Sequence, residues 1–367
     1  MPVVMTPRER VYRALTFRGP DRAPRDLWML GAIPLRHKEQ LADLLAQYPL
    51  DFARAPVTYR KQAQSAAMQA LEQDPHYATS PGGPRQPSPD FVGRYVDEWG
   101  CEWQTLEPGA VGEVIRPRLA GWSELPAFSP PYALLDQIDL APSYPFYDQT
   151  DRFVLCSSTV EPFQRLMFLR GFENLMADIG LLKAELLELI RIVHEFNLRQ
   201  LEILAPVSAD AIMFKDDWGS QTSLLISPRH WRKLFKPLYA DYCRIIHDAG
   251  KFAFFHSDGH IAAIFPDLIE IGVDAVNSQL FCMDIEALAR EYKGQITLWG
   301  EIDRQQALAF GTPQDVRQAV RRVRRAFDDG SGGLIAQCEW ANDTPHANIE
   351  AVFSAWSEPL DQVREQS

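Results

Sequence analysis

The stretch "KFAFFHSDGH", residues 251–260, runs four apolar residues together and then turns abruptly polar. Phe252 to Phe255 read as a strand buried on both faces, the habit of a parallel sheet. His256, Asp258 and His260 follow at once, so the strand finishes in metal-ligand and acid/base residue types. Other strands end the same way. "DAIMFKDDWG" (210–219) finishes in Asp216, Asp217 and Trp218, and "DAVNSQ" (274–279) in Asn277, Ser278 and Gln279. "QITLWGEID" (295–303) turns polar at Glu301, and "GGLIAQCEW" (332–340) at Gln337, Cys338 and Glu339. In a doubly wound open sheet, ligand-binding strand ends gather at one switch point. In a (β/α)8 barrel every strand end converges on one mouth, where the active site lies. Polar ends on successive strands therefore predict an α/β fold of the (β/α)8 TIM-barrel type.

The segments between these strands have helical period, which makes right-handed βαβ units the natural connection. Helices are predicted over about 162–204, 228–249, 285–292, 313–327 and 346–356. Near the start, Thr6 is placed to cap a helix that has Pro7 in its first position, and Gly19-Pro20 stops it. "RDLWML" (25–30) is a short strand. From about 57 to 150 the pattern is irregular: "PGGPRQPSP" (81–89) reads as a loop, and "GRYVDEW", "CEWQTLEPG" and "VGEVIRPRL" alternate like a small antiparallel excursion. We read residues 1–367 as a single barrel domain with an insertion or lid over about 57–150.

A balance of 37 basic and 49 acidic residues, net −12, argues against a broad nucleic-acid footprint. The one basic cluster, "VRQAVRRVRRAF" (316–327), has Val316, Val320, Val323 and Phe327 at helical spacing, which puts its arginines mainly on a solvated face. No GxGxxG or GxxxxGK[ST] follows a strand, so no nucleotide cradle is expected. Five widely spaced cysteines, with no CxxC and no apolar leader in "MPVVMTPRER", predict free thiols in a reducing compartment. With no 18-residue apolar span, the chain reads as a cytoplasmic protein without membrane partners.

On a strand, residues i and i+2 share a face, so His256 and Asp258 point to one side. With Cys338 arriving from a later strand they make a permissible zinc set, one position left open, and Glu301 is the reserve ligand or general base. A mouth His and Asp can equally be a hydrogen-bonded pair without metal, and a free Cys is commonly inert core. Of the adjacent Asp216 and Asp217, one faces the mouth as acid, base or substrate anchor while the other holds a loop. Trp218, Asn277 and Gln279 are the candidate substrate contacts, and His260 is read as a capping or solvent residue.

"TPRERVYRALTFRGPDRAPRD", "DDWGSQTSLLISPRHWRKLFKPLY", "GKFAFFHSDGHIAAIFPDLIEIGVDAVNS", "LWGEIDRQQALAFGTPQDVRQAV" and "NDTPHANIEAVFSAW" together resemble the uroporphyrinogen decarboxylase superfamily, nearest its decarboxylase-like and cobalamin-linked methyltransferase branch. The resemblance covers both ends and nearly all of 205–357, and is poor over 30–150. It implies a barrel with its site at the C-terminal mouth, and it allows a homodimer. Porphyrinogen decarboxylases carry an arginine-rich N-terminal segment that grips the substrate carboxylates; here that region reads "DLWMLGAIPLR", which disfavours a porphyrinogen substrate. The methyltransferases carry a zinc motif, His-x-Cys-Gly and a later Cys. His256 and Cys338 fall at those places, while Asp258 replaces the first cysteine and makes any bound ion harder.

The resemblance thus implies zinc or another divalent metal at His256, Asp258 and Cys338, acting on a small-molecule substrate, and methyl transfer from a corrinoid supplied in trans by a partner protein. Asp216 or Asp217 would anchor the substrate or handle a proton. Two alternatives stand beside it. One is a metal-free decarboxylase or lyase, with His256 and one Asp as acid/base pair and Arg165 or Arg170 as carboxylate anchor. The other is a barrel that binds a small molecule without chemistry.

Overall fold

Eight parallel strands form the centre of the molecule, and the computed structural model describes residues 5–30, 33–59, 77–79, 91–107 and 112–365. They are β1 (Arg25–Met29), β2 (Phe52–Arg54), β3 (Phe153–Ser157), β4 (Ala211–Lys215), β5 (Phe252–Ser257), β6 (Ala275–Ser278), β7 (Thr297–Trp299) and β8 (Leu334–Trp340). Their lateral order is β1-β8-β7-β6-β5-β4-β3-β2, each parallel to its neighbours, with helices outside. This is the (β/α)8 barrel, nearly closed.

Buried Asp51 bridges the remaining seam between β1 and β2. Its amide donates to Arg25 O at 2.9 Å, and its carboxylate accepts from Arg25 N and Arg22, both at 2.7 Å. At the other end of the seam Arg54 pairs with Asp26 at 2.9 Å. The barrel is a packed core and not a pore. Phe52, Phe153, Leu155, Ala211, Phe254, Ala275, Trp299 and Ile335 fill it from inside, and Val11 and Leu15 of the first helix (Pro7–Leu15) plug the N-terminal end. Neighbours of opposite parity, such as Ile212, Phe255, Leu298 and Ala336, face the helices instead.

Local chemistry explains the boundaries. Thr6 caps the first helix by accepting from Glu9 N, and Ser227 does so for Pro228–Leu234 through His230 N. The helix expected over 228–249 is two, with Phe235 between Pro228–Leu234 and Lys236–Asp248. That expected over 162–204 is three, broken at Gly171 (φ 77°) and at Leu182 (φ 50°). The basic helix Pro313–Phe327 buries Val316, Val320, Val323 and Phe327 as its spacing predicted, and buries Arg324 as well.

The irregular region includes an antiparallel set, Gly93–Val96, Glu102–Thr105 and Glu113–Arg116, with Tyr77–Thr79 added in parallel. The proline-rich stretch 81–89 lies outside the described residues. Buried Asp97 accepts from Trp103 Nε1 at 2.9 Å and pairs with Arg165 of the helix Pro162–Arg170 at 3.3 Å. Arg165 also lies 4.6 Å over the Trp99 ring. This arginine pins the inserted sheet to the barrel. Among the described residues no helix is long and apolar enough to cross a membrane.

Candidate metal and acid/base site at the barrel mouth

Strand parity chooses which polar ends meet. Phe252 and Phe254 point inward on β5, so His256 and Asp258 do too; on β4 the inward series 211, 213, 215 continues to Asp217. The loops after these strands are held together by two glycines in contact. A Cβ on Gly259 (φ 76°) would stand 2.2 Å from Gly219 O, and one on Gly219 would stand 2.3 Å from His260 N. Their closeness lets Gly219 N donate to Asp258 O at 3.0 Å and Asp258 N to the Asp217 carboxylate at 3.1 Å. His260 N donates to Ser220 O at 2.8 Å, so the residue serves this loop junction, not a helix cap.

Asp217, His256 and Asp258 consequently present one ligand atom each, all within 4.8 Å of one another. His256 Nε2 lies 3.5 Å from Asp217 Oδ1 and 3.7 Å from Asp258 Oδ1. These separations exceed a good hydrogen bond. Two ligand atoms about 2.1 Å from one tetrahedral ion stand about 3.4 Å apart, which is close to what is seen. Asn277 sets the tautomer. Its amide nitrogen donates to Trp299 O at 2.5 Å and Gln337 Oε1 at 3.2 Å, leaving its Oδ1 to accept from His256 Nδ1 at 2.6 Å. Nδ1 therefore carries the proton and Nε2 is the atom turned toward the carboxylates. Trp28 packs on the imidazole at 5.1 Å between ring centroids.

Electrostatics follow from this packing. Burial opposes charging of His256, but contact with Asp217 and the charges of Asp217 and Asp258 outweigh it and raise its pKa. Burial likewise works against the Asp217 charge, but His256, the Asp258 amide and Lys215 hold its carboxyl down at about 2. Gln164 Nε2 donates to its second oxygen.

Asp258 Oδ2 pairs with Arg304 at 2.5 Å, while its Oδ1 is buried without a hydrogen-bond partner. Arg304 also reaches Glu339 at 3.2 Å and Glu301 at 3.6 Å. Glu301 is 2% exposed and its Oε1 has no partner. Burial pushes its carboxyl up to about 7, against the pull of Arg304.

Other expected positions fall elsewhere. Cys338 does not join the cluster: Ile335 of β8 faces the interior, so Cys338 lies on the outer face among Leu27, Ala336 and Trp340. Burial there pushes its thiol pKa up, the opposite of what a thiolate ligand needs. Asp216 also points outward. It is fully buried and accepts from Phe163 N at 2.8 Å, Gln164 N at 2.7 Å and Tyr239 Oη at 2.5 Å, capping the helix Pro162–Arg170. Burial pushes its carboxyl up to about 7 while the two amides and the hydroxyl pull it down.

Trp218 is buried, donates to Tyr239 Oη at 2.8 Å and stacks on Phe163, so it offers no face to a substrate. Asn277 is buried and spends its donors and acceptor inside the protein. Gln279 does line a cavity of about 220 Å³ with Gln221, Cys282, Glu301 and Arg304. Arg165 and Arg170 are buried and committed, Arg170 to Asp178 at 2.9 Å and the Trp122 ring at 3.9 Å. Sequence reasoning passed over Arg304, Gln164 and Trp28. The "EIDR" spacing, which sets Arg304 three residues after Glu301, was the one available signal.

No functionally curated protein matches the sequence. Among solved structures, a methyltransferase from Methanosarcina mazei superposes with a TM-score of 0.68 over 96% of this chain and 98% of that one, at 14% identity, a likeness of fold. An endo-β-1,4-xylanase from Gloeophyllum trabeum reaches 0.44 at 9% identity, over 94% and 98% of the two chains. The family model for uroporphyrinogen decarboxylase (URO-D) matches residues 148–358, which hold β3 to β8 and every residue of the mouth cluster. On that match, over more than half its length, the chain belongs to the uroporphyrinogen decarboxylase family.

Proposed function

We propose that this chain is a metal-dependent barrel enzyme of methyl transfer, with a divalent cation held by Asp217, His256 and Asp258. One observation carries the reading: three ligand atoms converge, and one of them, Asp258 Oδ1, is buried with no hydrogen-bond partner. An orphaned buried carboxylate oxygen is costly unless a cation meets it. Two carboxylates and an imidazole suit zinc or a harder divalent ion, in contrast to a thiolate-rich set. A bound cation would supply Lewis acidity, lowering the pKa of a thiol or similar acceptor. The methyl donor we infer is a corrinoid carried by a partner protein, as the family resemblance suggests.

The chain's own residues then have distinct tasks. Asn277 holds His256 with its Nε2 lone pair outward, and Gln164 and the Asp258 amide hold Asp217. Arg304 fixes Asp258 by its other oxygen. Glu301, near half-protonated at neutral pH, accepts the proton an acceptor gives up.

The test uses methylcobalamin as donor and a simple thiol as acceptor, following demethylation by absorbance. Turnover with added zinc or manganese, abolished by chelation and by Asp258→Ala, is expected; no turnover with any divalent ion would sink the methyl-transfer reading. A second reading, a metal-free lyase or decarboxylase acting on a small carboxylate other than porphyrinogen, is favoured by Glu301 and Arg304 lying together.

A further inference from the structure

Beside the metal cluster, the loops after β4, β6 and β7 frame a cavity of about 220 Å³. Gln221, Gln279, Cys282, Glu301, Asp303 and Arg304 are on its wall. The Cys282 thiol donates to Oε1 of Gln221 at 3.2 Å and of Gln279 at 3.3 Å, tying the loop after β4 to the one after β6. Arg304, the one cation on the wall among the described residues, is already spent. Asp258 at 2.5 Å, Glu339 at 3.2 Å and Glu301 at 3.6 Å share it. Asp303 has no such partner. Its Oδ1 accepts from Gln305 N at 3.2 Å and Gln306 N at 3.0 Å, and among the described residues no Lys or Arg lies within ion-pair distance of it.

The charges on and behind this wall do not balance. A divalent ion at the mouth is matched by Asp217 and Asp258. Arg304 then stands against Glu339 and Asp303, and against Glu301 whenever it is ionised, so one or two negative charges stay uncompensated. Cys282 responds to the same field. Burial raises its thiol pKa, Asp303, Glu301 and Asp258 raise it further, and Arg304 opposes them. Glu301 is 2% exposed and its Oε1 has no hydrogen-bond partner. A buried carboxylate without a matching cation is costly. A second positive charge in the cavity relieves that cost, whereas an anion adds to the excess.

We propose that this cavity takes the ammonium end of a small amine substrate, with Glu301 and Asp303 as its counter-charges. The volume suits a compact cation of a few heavy atoms beyond the group that reaches the metal. This names the substrate class of the enzyme proposed above and rests on the mouth being its active site. A substrate carboxylate would meet the same excess as repulsion, so the amine reading and the small-carboxylate lyase reading make opposite predictions here.

The test is calorimetric titration of the full, metal-free chain with ethanolamine and with glycolate at constant ionic strength; without an ion, glycolate has nothing to chelate. Saturable binding of ethanolamine and none of glycolate is expected. Ethanolamine affinity should fall about fivefold or more in Glu301→Gln and in Asp303→Asn, and stay as in wild type in Asp217→Asn. Circular dichroism melts check that each variant is folded. Binding lost in Asp217→Asn but kept in the other two would place the amine at the metal ligands and overturn the proposal. So would glycolate binding as tightly as ethanolamine, or no binding of ethanolamine. The titration needs no turnover, so it is decided apart from methyl transfer. Ethanolamine binding that depends on Glu301 and Asp303, in a protein that methylates no thiol, would remove the proposed reaction and leave the amine site standing.

Discussion

His256 can carry its proton on either ring nitrogen, and Asn277 decides which. Replacing Asn277 by Ala leaves Trp299 O and Gln337 without their donor and frees the imidazole to rotate. Loss of such a supporting hydrogen bond costs about 10–100-fold in metal affinity. Metal titration of Asn277→Ala checks this, and unchanged affinity would show that Asn277 serves packing alone. Glu301 yields a second prediction. Its carboxyl is raised from 4.5 to about 7 by burial, so stability present below the unfolded value is lost as pH rises through the folded one. Glu301→Gln removes that loss, so the variant should gain on the wild type between pH 4.5 and 7, measured by urea unfolding across that range. The individual residue was the scale least legible in the sequence. HxD parity placed His256 and Asp258 on one face, but whether Cys338 joins them depends on Ile335, and not Ala336, facing the interior. Only the strand's absolute orientation settles that, and an all-apolar strand does not display it.

At the scale of elements, the site depends on two loops crossing at Gly219 and Gly259. Gly259→Ala puts a methyl against backbone at a positive φ, which costs about 1–3 kcal/mol in strain and must separate Asp217 from Asp258. We expect both lowered stability and lost metal binding. Asp216→Ala should act differently: it removes the cap of the helix Pro162–Arg170 and leaves two amides unpaired, costing about 1–3 kcal/mol, with metal affinity retained. Thermal melts with and without metal separate the two cases. Elements themselves were readable wherever period was sustained, as in Pro313–Phe327 and His346–Trp356. β2 was not, since Phe52–Arg54 is too short to show a period. The long helical segments were read as continuous because Gly171 and Phe235 break them by backbone conformation, without a long polar interruption.

At the scale of the whole molecule, polar strand ends predicted the barrel because only a closed parallel sheet brings so many to one place. The small antiparallel strands between β2 and β3 were legible as alternation but their attachment was not. Arg165 is buried because it answers Asp97, some seventy residues away in sequence, and no local pattern links them. Breaking that buried pair with Arg165→Ala should cost about 3–5 kcal/mol and open the 91–116 sheet to proteolysis before the barrel unfolds. A cation at the mouth would tie β4 to β5 and raise the stability of the whole chain, by about 2.7 kcal/mol at a hundredfold excess over its Kd. The most direct measurement is the metal content of the protein purified without chelator, in wild type, His256→Ala, Asp258→Ala and Cys338→Ala. The account predicts about one divalent ion per chain, lost in His256→Ala and Asp258→Ala and kept in Cys338→Ala. No metal in the wild type, even after titration, or loss of metal on replacing Cys338, would contradict it.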